Sequence, residues 1–239
     1  MSETFLTGKT AVVTGATRGI GFAIARALSD AGATVAISGR SQENVDDAVR
    51  RLTNESTRKV VGKAADVRAS TEVAALFAWI ESTAGGPDIL VNNAGVGTMK
   101  RTAELTVEEW QRTIETNLSG AFYCSREALP RMKNRGRGYI INIGSLAGRN
   151  AFAGGAAYNA SKFGLNGFSE AMMLDHRQEN IRVSQIMPGS VDTEFSGGTA
   201  KADWKIAPED IGEIVLMLLR MPERTLVSRI EVRPAKPRN

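Results

Sequence analysis

The sequence predicts a single α/β domain, in which a doubly wound, seven-stranded parallel sheet carries helices on both faces. Short β-branched runs alternate with longer stretches of helical spacing, which is typical of βαβ units. Runs such as Ile89–Val91 and Ile140–Ile143 are apolar without alternation, as expected for strands covered on both faces. No repeat, low-complexity segment or composition break interrupts residues 1–239, so we expect one domain.

Each strand is predicted by a short run of β-branched or aliphatic residues. In chain order the predicted strands are Thr10–Thr14, Thr34–Ser38, Val60–Asp66, Ile89–Asn92, Tyr139–Ile143, Arg182–Ile186 and Arg229–Val232. Helical spacing between them predicts helices over 20–31, 42–53, 71–83, 107–134, 157–179 and 209–219. The crossovers between parallel strands are expected to be right-handed.

Composition excludes several other classes of protein. The hydrophobic fraction of 42% and charged fraction of 23% are those of a globular chain, not of a disordered or fibrous one. The single cysteine, Cys124, and single histidine, His176, exclude an internal disulfide and a multi-histidine metal site, so no metal is expected. The longest apolar stretch, Ile214–Leu219, is far shorter than the roughly 20 residues of a membrane span. We therefore expect a soluble, cytoplasmic protein without a membrane partner.

The charge balance favours a small anionic ligand over nucleic acid. Lys and Arg exceed Asp and Glu by 30 − 26 = 4, and no block of five or six like charges occurs. The densest basic segment is the tail Arg233–Arg238, which prolines interrupt. Nucleic-acid binding through this tail is the less favoured alternative, because a phosphorylated cofactor accounts for a few extra arginines.

A glycine-rich turn follows the first strand directly. Residues 14–21 read Thr-Gly-Ala-Thr-Arg-Gly-Ile-Gly, and an amphipathic helix comes next. Glycine lets the backbone approach a ligand closely, and the free N–H groups at a helix N-terminus attract a pyrophosphate. The G-x-x-x-G-x-G spacing differs from the generic G-x-G-x-x-G pattern. The predicted cofactor-binding residues of this turn are Gly15, Thr17, Arg18, Gly19, Ile20 and Gly21.

The end of the second strand indicates which nicotinamide cofactor the turn accepts. An acid expected there would bind the adenosine ribose, but residues 38–41 contain none and include Arg40. Arg40 and Arg18 together favour a 2′-phosphate through charge-assisted hydrogen bonds. The alternative is that both arginines face solvent. We expect NADP(H) to be preferred, with NAD(H) possible.

A tyrosine and a lysine occur at the helical spacing that acid–base chemistry requires. Tyr158 and Lys162 are i and i+4, so they share a helix face. A neighbouring cation stabilises a phenolate, so Lys162 is expected to lower the pKa of Tyr158. Tyr158 then acts as general acid in carbonyl reduction and general base in alcohol oxidation. Ser145, after the fifth strand, can hydrogen-bond the substrate oxygen.

The glycine turn is followed along the chain by Asn92-Asn-Ala-Gly95, Asn117, Ser145 and the Tyr158/Lys162 pair. With these motifs in this order, the sequence resembles the short-chain dehydrogenase/reductase family from Gly8 to about Arg233. The resemblance implies a Rossmann fold and hydride transfer between a nicotinamide and a carbonyl or secondary alcohol. It implies that Lys162 also binds the nicotinamide ribose and that Asn117 holds a proton-relaying water. The implied catalytic set is Asn117, Ser145, Tyr158 and Lys162. The further implied cofactor contacts are Asp66, Val67, Asn92, Ala94, Gly95, Tyr158, Lys162, Pro188, Gly189, Val191 and Thr193.

These motifs do not identify the substrate. A lid is expected over about 189–207, with a hinge at Gly197-Gly198 and apolar contacts from Phe195 and Trp204. Leu146 and Phe152 are further candidates for lining. The chain is similar both to 3-oxoacyl-[acyl-carrier-protein] reductases and, at Thr225–Pro234, to 3-hydroxy acid dehydrogenases, and the motifs do not separate them.

Two expectations concern association and an alternative function. In similar proteins the helices that carry Asn117 and Tyr158 form a four-helix interface, which implies a homotetramer or a homodimer. The functional alternative is a non-catalytic, nucleotide-binding redox sensor. The intact tyrosine–lysine pair argues against this alternative, since a sensor has no need of it.

Overall fold

All seven strands pair in parallel in one sheet, which confirms the predicted doubly wound α/β fold. The computed structural model describes residues 4–55, 58–196 and 202–237. The strands are β1 Thr10–Thr14, β2 Thr34–Gly39, β3 Val60–Ala64, β4 Ile89–Asn92, β5 Gly138–Ile143, β6 Ile181–Pro188 and β7 Arg229–Val232. Their order is β3-β2-β1-β4-β5-β6-β7. The order reverses between β1 and β4, and ligands of such sheets bind at the carboxyl ends of the strands beside this switch point.

Helices connect the strands on both faces of the sheet. They are α1 Gly19–Asp30, α2 Gln42–Glu55, α3 Ser70–Ala84, α4 Val107–Ile114, α5 Gly120–Asn134, α6 Ala156–His176 and α7 Pro208–Arg220. The continuous helix predicted over 107–134 is wrong at its centre, where a π-helical turn, Glu115–Ser119, separates α4 from α5. The predicted helix over 157–179 ends at His176, before a short 3₁₀ turn and Asn180 in the left-handed region (φ 58°).

Both faces of the sheet are buried, as the unbroken apolar strands predict. Val12 and Val13 of β1 are fully buried in different clusters, one on each face of the sheet. Successive strand side chains point to opposite faces, so a strand covered on both sides needs apolar residues at every position. One cluster contains Ile24 and Leu28 of α1, and the other contains Phe77 of α3. The rigid sheet between these layers supports the residues at its carboxyl edge.

Residues that could indicate other functions are accounted for by packing. Cys124 is buried in the core, and burial raises the pKa of its thiol to about 12. His176 forms a hydrogen bond with Glu179 (Nδ1 to Oε2, 2.9 Å) at the end of α6. Within residues 4–55, 58–196 and 202–237 there is no helix of the length and hydropathy that crossing a membrane requires.

Candidate active site

The glycine turn forms a backbone cradle that lines a cleft of about 1720 Å³. Gly15 (φ 62°) and Gly19 (φ 57°) have left-handed backbones that favour glycine. A Cβ at Gly21 would lie 2.3 Å from Asn93 Nδ2 and 2.6 Å from the Gly15 oxygen. Asn93 Nδ2 also donates to the carbonyls of Thr14 (2.9 Å) and Gly15 (3.0 Å). The turn is thus held close to the start of α1, an arrangement whose donor chemistry fits a pyrophosphate.

The two arginines predicted at the adenosine end have different surroundings. Arg40 is exposed and lines the cleft. Arg18 also lines it, but its Nη1 donates to Glu194 Oε2 at 2.6 Å, and both side chains are mostly exposed. Asp66 binds Arg68 through Nε at 3.0 and 2.9 Å, and this hydrogen-bonded guanidinium holds the pKa of the carboxyl below its usual value. The residues around this end therefore fit an anionic group, with Glu194 competing for Arg18.

Ser145, Tyr158 and Lys162 line the same cleft as the glycine turn. Ser145 follows β5, while Tyr158 and Lys162 lie on the first turns of α6, so that Lys162 Nζ is 5.8 Å from the centre of the Tyr158 ring. Lys162 is 5% exposed and donates to the Ile143 carbonyl at 2.9 Å. Burial lowers the pKa of this lysine to about 8. The trio therefore joins a phenol, a hydroxyl and an ammonium group in one pocket.

The predicted lowering of the Tyr158 pKa is wrong in direction. Burial raises the pKa of Tyr158, and a hydrogen bond with Ser145 offsets part of this rise. Sequence spacing shows that Lys162 is on the same helix face as Tyr158, but it does not show how deeply the phenol is buried. Burial disfavours the charged phenolate and so raises the pKa. Tyr158 is consequently protonated at neutral pH, which is the form that can donate a proton.

Asn117 is buried behind the cleft wall and is bonded to protein groups. Its Oδ1 accepts from Val96 N at 2.8 Å, and its Nδ2 donates to Val96 O at 2.9 Å and to Ser161 Oγ at 2.9 Å. Only 2% of the residue is exposed. Its side chain connects the π-helical turn, the segment after β4 and α6. The implied water-holding role of Asn117 stays a prediction.

Most predicted cofactor residues border the cleft, and one does not. Those that line it are Gly15, Thr17, Arg18, Gly19, Ile20, Gly21, Arg40, Asp66, Val67, Ala94, Gly95, Tyr158, Lys162, Pro188, Gly189, Val191 and Thr193. Asn92 is buried instead, and its Nδ2 donates to Ser125 Oγ (3.0 Å) and Asn142 Oδ1 (2.8 Å). Because side chains alternate along a strand, only one of two adjacent asparagines can face the turn. That residue is Asn93, which the sequence reasoning missed.

The apolar residues predicted for the substrate end border the cleft as well. Phe195, Trp204, Leu146 and Phe152 all line it, and the Phe195 ring centre is 5.9 Å from that of Tyr158. The hinge predicted at Gly197-Gly198 lies outside the described residues.

The tail after β7 forms a part of the wall that the sequence reasoning missed. Arg233, Pro234 and Pro237 line the cleft, and Pro234 Cδ is 3.3 Å from where a Gly189 Cβ would lie. The prolines in this basic tail indicate an irregular segment after β7, because they disfavour both a helix and a continued strand. This tail borders the cleft beside Gly189.

The fold and site define a class: a Rossmann-fold oxidoreductase with a tyrosine, a lysine and a serine beside a nucleotide cradle. A family model described as "short chain dehydrogenase" matches residues 9–204. The chain belongs to this short-chain dehydrogenase family and is an oxidoreductase.

Sequence relatives and solved structures agree with this assignment. An uncharacterized oxidoreductase of Staphylococcus aureus (strain USA300) is 35% identical over 97% of this chain and 99% of its own length. An alcohol dehydrogenase from the archaeon Thermococcus sibiricus, complexed with 5-hydroxy-NADP, superimposes with a TM-score of 0.90 at 31% identity, covering 97% of this chain and 98% of that one. A metagenomic short-chain oxidoreductase in complex with NADP has a TM-score of 0.86 at 37% identity, covering 97% and 99%.

Proposed function

We propose that the protein is an NADP(H)-dependent oxidoreductase acting on a small-molecule carbonyl or secondary alcohol, with Tyr158 as general acid and base. The observation that carries this proposal is the meeting of Ser145, Tyr158 and Lys162 in the cleft that the glycine turn also lines. When bound, the nicotinamide supplies or accepts the hydride. The protein must therefore hold the substrate oxygen and move one proton.

The three side chains divide this work. The Tyr158 phenol donates its proton to the carbonyl oxygen during reduction, and its phenolate removes the hydroxyl proton during oxidation. Ser145 hydrogen-bonds the same oxygen and orients it toward Tyr158. Lys162, with a pKa of about 8, carries its charge at neutral pH. This charge stabilises the phenolate relative to the same pocket without it, although burial leaves the pKa of Tyr158 raised. We also assign to Lys162 the binding of the nicotinamide ribose that the family resemblance implies.

Replacing Tyr158 with Phe tests the acid–base role. The variant keeps the ring against Phe195 and removes only the hydroxyl group. With a panel of aldehydes, ketones, 3-oxoacyl thioesters and 3-oxo acids, we expect kcat to fall by roughly a hundredfold or more, the scale of a lost general acid. The dissociation constant for NADPH should change less than about twofold, because the variant keeps the ring that lines the cleft and loses only the hydroxyl group, which acts on the substrate oxygen. Full activity in Tyr158→Phe would contradict the proposal, whereas cofactor binding without turnover by the wild type on any substrate would favour the redox sensor.

Preference for NADP(H) is supported by Arg40 at the cleft and by the absence of an acid at sequence positions 38–41. Two structural neighbours are themselves complexed with NADP or 5-hydroxy-NADP. Fluorescence titration should give tighter binding of NADPH than of NADH. Arg40→Asp should reverse this preference, because it removes a cation and adds a carboxylate that repels the 2′-phosphate. Arg40→Gln removes the cation without adding a negative charge, so comparing the two variants separates lost attraction from repulsion. An unchanged ratio in both variants would remove Arg40 from the phosphate site.

Association into a homotetramer or homodimer is part of the proposal. Phe122 of α5 and Phe163 of α6 are 44% and 46% exposed, although both are large apolar residues. Helix α6 carries Tyr158 and Lys162, and a second copy would cover the apolar faces of both helices. Light scattering should give a mass of two or four chains, and a concentration-independent 25.6 kDa species would contradict this. A cytoplasmic location stays a prediction.

A further inference from the structure

A polar stripe runs along the face of α6 that packs on the sheet. It consists of Asn159, Lys162, Asn166 and Ser169, at intervals of three and four residues. Such spacing keeps side chains on one helix face, and a face turned toward the core is normally apolar. The polar side chains of this stripe therefore need hydrogen-bond partners, because burying an unpaired polar group is unfavourable.

Three members of the stripe donate to carbonyl groups of one short segment. Asn159 Nδ2 donates to Ala147 O (2.6 Å), Lys162 Nζ to Ile143 O (2.9 Å) and Asn166 Nδ2 to Gly148 O (2.7 Å). The segment 143–148 carries Ser145. A Cβ at Gly148 would be 2.8 Å from the Lys162 carbonyl oxygen, so the segment also lies directly against the helix backbone. Helix α6, which carries Tyr158, thus holds the segment that carries Ser145.

The orientation of the Asn166 amide is determined by its neighbours. A carbonyl such as that of Gly148 can only accept, so Asn166 must present its NH₂ group there. Its oxygen is then turned toward Gln185 of β6, whose Nε2 donates to it at 2.7 Å. Gln185 is 1% exposed, and its own Oε1 has no hydrogen-bond partner among the described residues. A side chain buried at this cost indicates that its donor group is needed.

We propose that Gln185 and Asn166 are positioning residues that hold the Ser145 hydroxyl against Tyr158 by way of the Gly148 carbonyl. In the described part of the chain neither side chain borders the cleft, so both act through other residues and not by contact with substrate or cofactor. The inference rests on the proposed function for its effect on turnover, but the Ser145–Tyr158 contact can be measured without turnover. Gly148 N donates to the Ser145 carbonyl at 2.9 Å, and Ala147 N donates to Ser145 Oγ at 3.1 Å, so Gly148 and the Ser145 hydroxyl belong to one hydrogen-bonded turn. Loss of the Asn166 donor would shift this turn and with it the Ser145 hydroxyl.

The test measures ionisation of Tyr158 directly. The chain has three tyrosines, so 3-fluorotyrosine labelling gives three ¹⁹F signals, and Tyr158→Phe assigns the relevant one. Because the hydrogen bond with Ser145 lowers the pKa of Tyr158, Asn166→Ala should raise this pKa by roughly half a unit to one unit, the effect of one weakened hydrogen bond. Gln185→Met, which keeps the side-chain length, should produce a similar change and also serves if Asn166→Ala does not fold. In a Ser145→Ala background neither substitution should change the pKa further.

Ser169→Ala is the matched control. Ser169 belongs to the same stripe and is buried, but its hydrogen bonds go to Asn142 (Nδ2 to Oγ, 2.8 Å) and to the Leu165 carbonyl (2.6 Å), outside the 143–148 segment. The substitution should lower thermal stability without moving the Tyr158 signal. The proposal would be overturned if Ser169→Ala changed the pKa of Tyr158 as much as Asn166→Ala does. It would also be overturned if Asn166→Ala and Gln185→Met lowered stability but left the pKa of Tyr158 unchanged. A wild type that shows the expected ¹⁹F titrations but reduces no carbonyl would instead contradict the proposed function alone.

Discussion

Replacing Lys162 with Met should alter the way stability depends on pH. Burial lowers the pKa of Lys162 in the folded chain from 10.5 to about 8. The unfolded chain therefore holds this proton more tightly, so the charged lysine destabilises the fold below about pH 8, and the cost disappears as pH rises toward 10.5. A fall of about 2.5 in pKa corresponds to about 3 kcal/mol at pH 7. The Lys162→Met variant, which has no charge at this position, lacks this cost at every pH.

A second effect of the substitution does not depend on pH. The variant loses the donor to the Ile143 carbonyl, which costs about 1–3 kcal/mol. The two effects have opposite signs near pH 7, so the difference in stability at that single pH is not diagnostic. The diagnostic quantity is how the difference in unfolding free energy between the two proteins changes with pH. Between about pH 7 and pH 9.5 the wild type should gain about 2 kcal/mol relative to the variant.

Urea unfolding followed by circular dichroism, at several pH values and one protein concentration, measures this difference. Lys236→Met removes an exposed lysine and is the matched control for loss of one positive charge. Its stability should follow that of the wild type across the same pH range. Parallel curves for wild type and Lys162→Met would refute the argument that burial holds the pKa of this lysine low.

Three further outcomes are expected. Glu194→Gln should strengthen NADPH binding about two- to fivefold, because Arg18 loses an exposed carboxylate competitor; titration with NADH, which lacks the 2′-phosphate, should show little change. Gly21→Ala should weaken cofactor binding at least about tenfold and lower the melting temperature, since its Cβ would overlap the Gly15 oxygen; Gly85→Ala, which meets no atom but has a positive φ, should leave cofactor binding unchanged. Because burial raises the pKa of Tyr158, the rate of alcohol oxidation should increase with pH through the alkaline range while carbonyl reduction stays constant near neutrality, and a flat oxidation profile would argue against a phenolate base.

Periodicity was sufficient for the fold because its signals are local. Runs such as Leu90-Val91 and Ile140-Ile141 place one residue in each core layer, so both faces of the sheet could be read from single strands. The interruption at Glu115–Ser119 could not be read in this way. Its sequence continues a helical pattern, whereas the wider turn accompanies bonds from Asn117 to Val96 and Ser161, far along the chain.

The candidate site was predictable to the extent that it follows from spacing. Tyr158 and Lys162 are one helical turn apart, and Ser145 ends a strand beside them, so their meeting needs only the fold. Long-range contacts decided the rest. Asn92 and Asn93 differ only in the face on which they lie, and Arg18 is paired with a residue 176 positions away. The direction of the Tyr158 pKa shift likewise depends on burial, which no spacing reports.

The contact between the tail and the cleft has a practical consequence for anyone producing or redesigning this enzyme. Arg233, Pro234 and Pro237 come after β7, the last strand of the described sheet, yet they line the cleft, and Pro234 lies beside Gly189. Libraries varied at Arg233, Pro234 and Pro237 would alter the cleft wall beside Gly189 while leaving the proton-handling residues Ser145, Tyr158 and Lys162 unchanged.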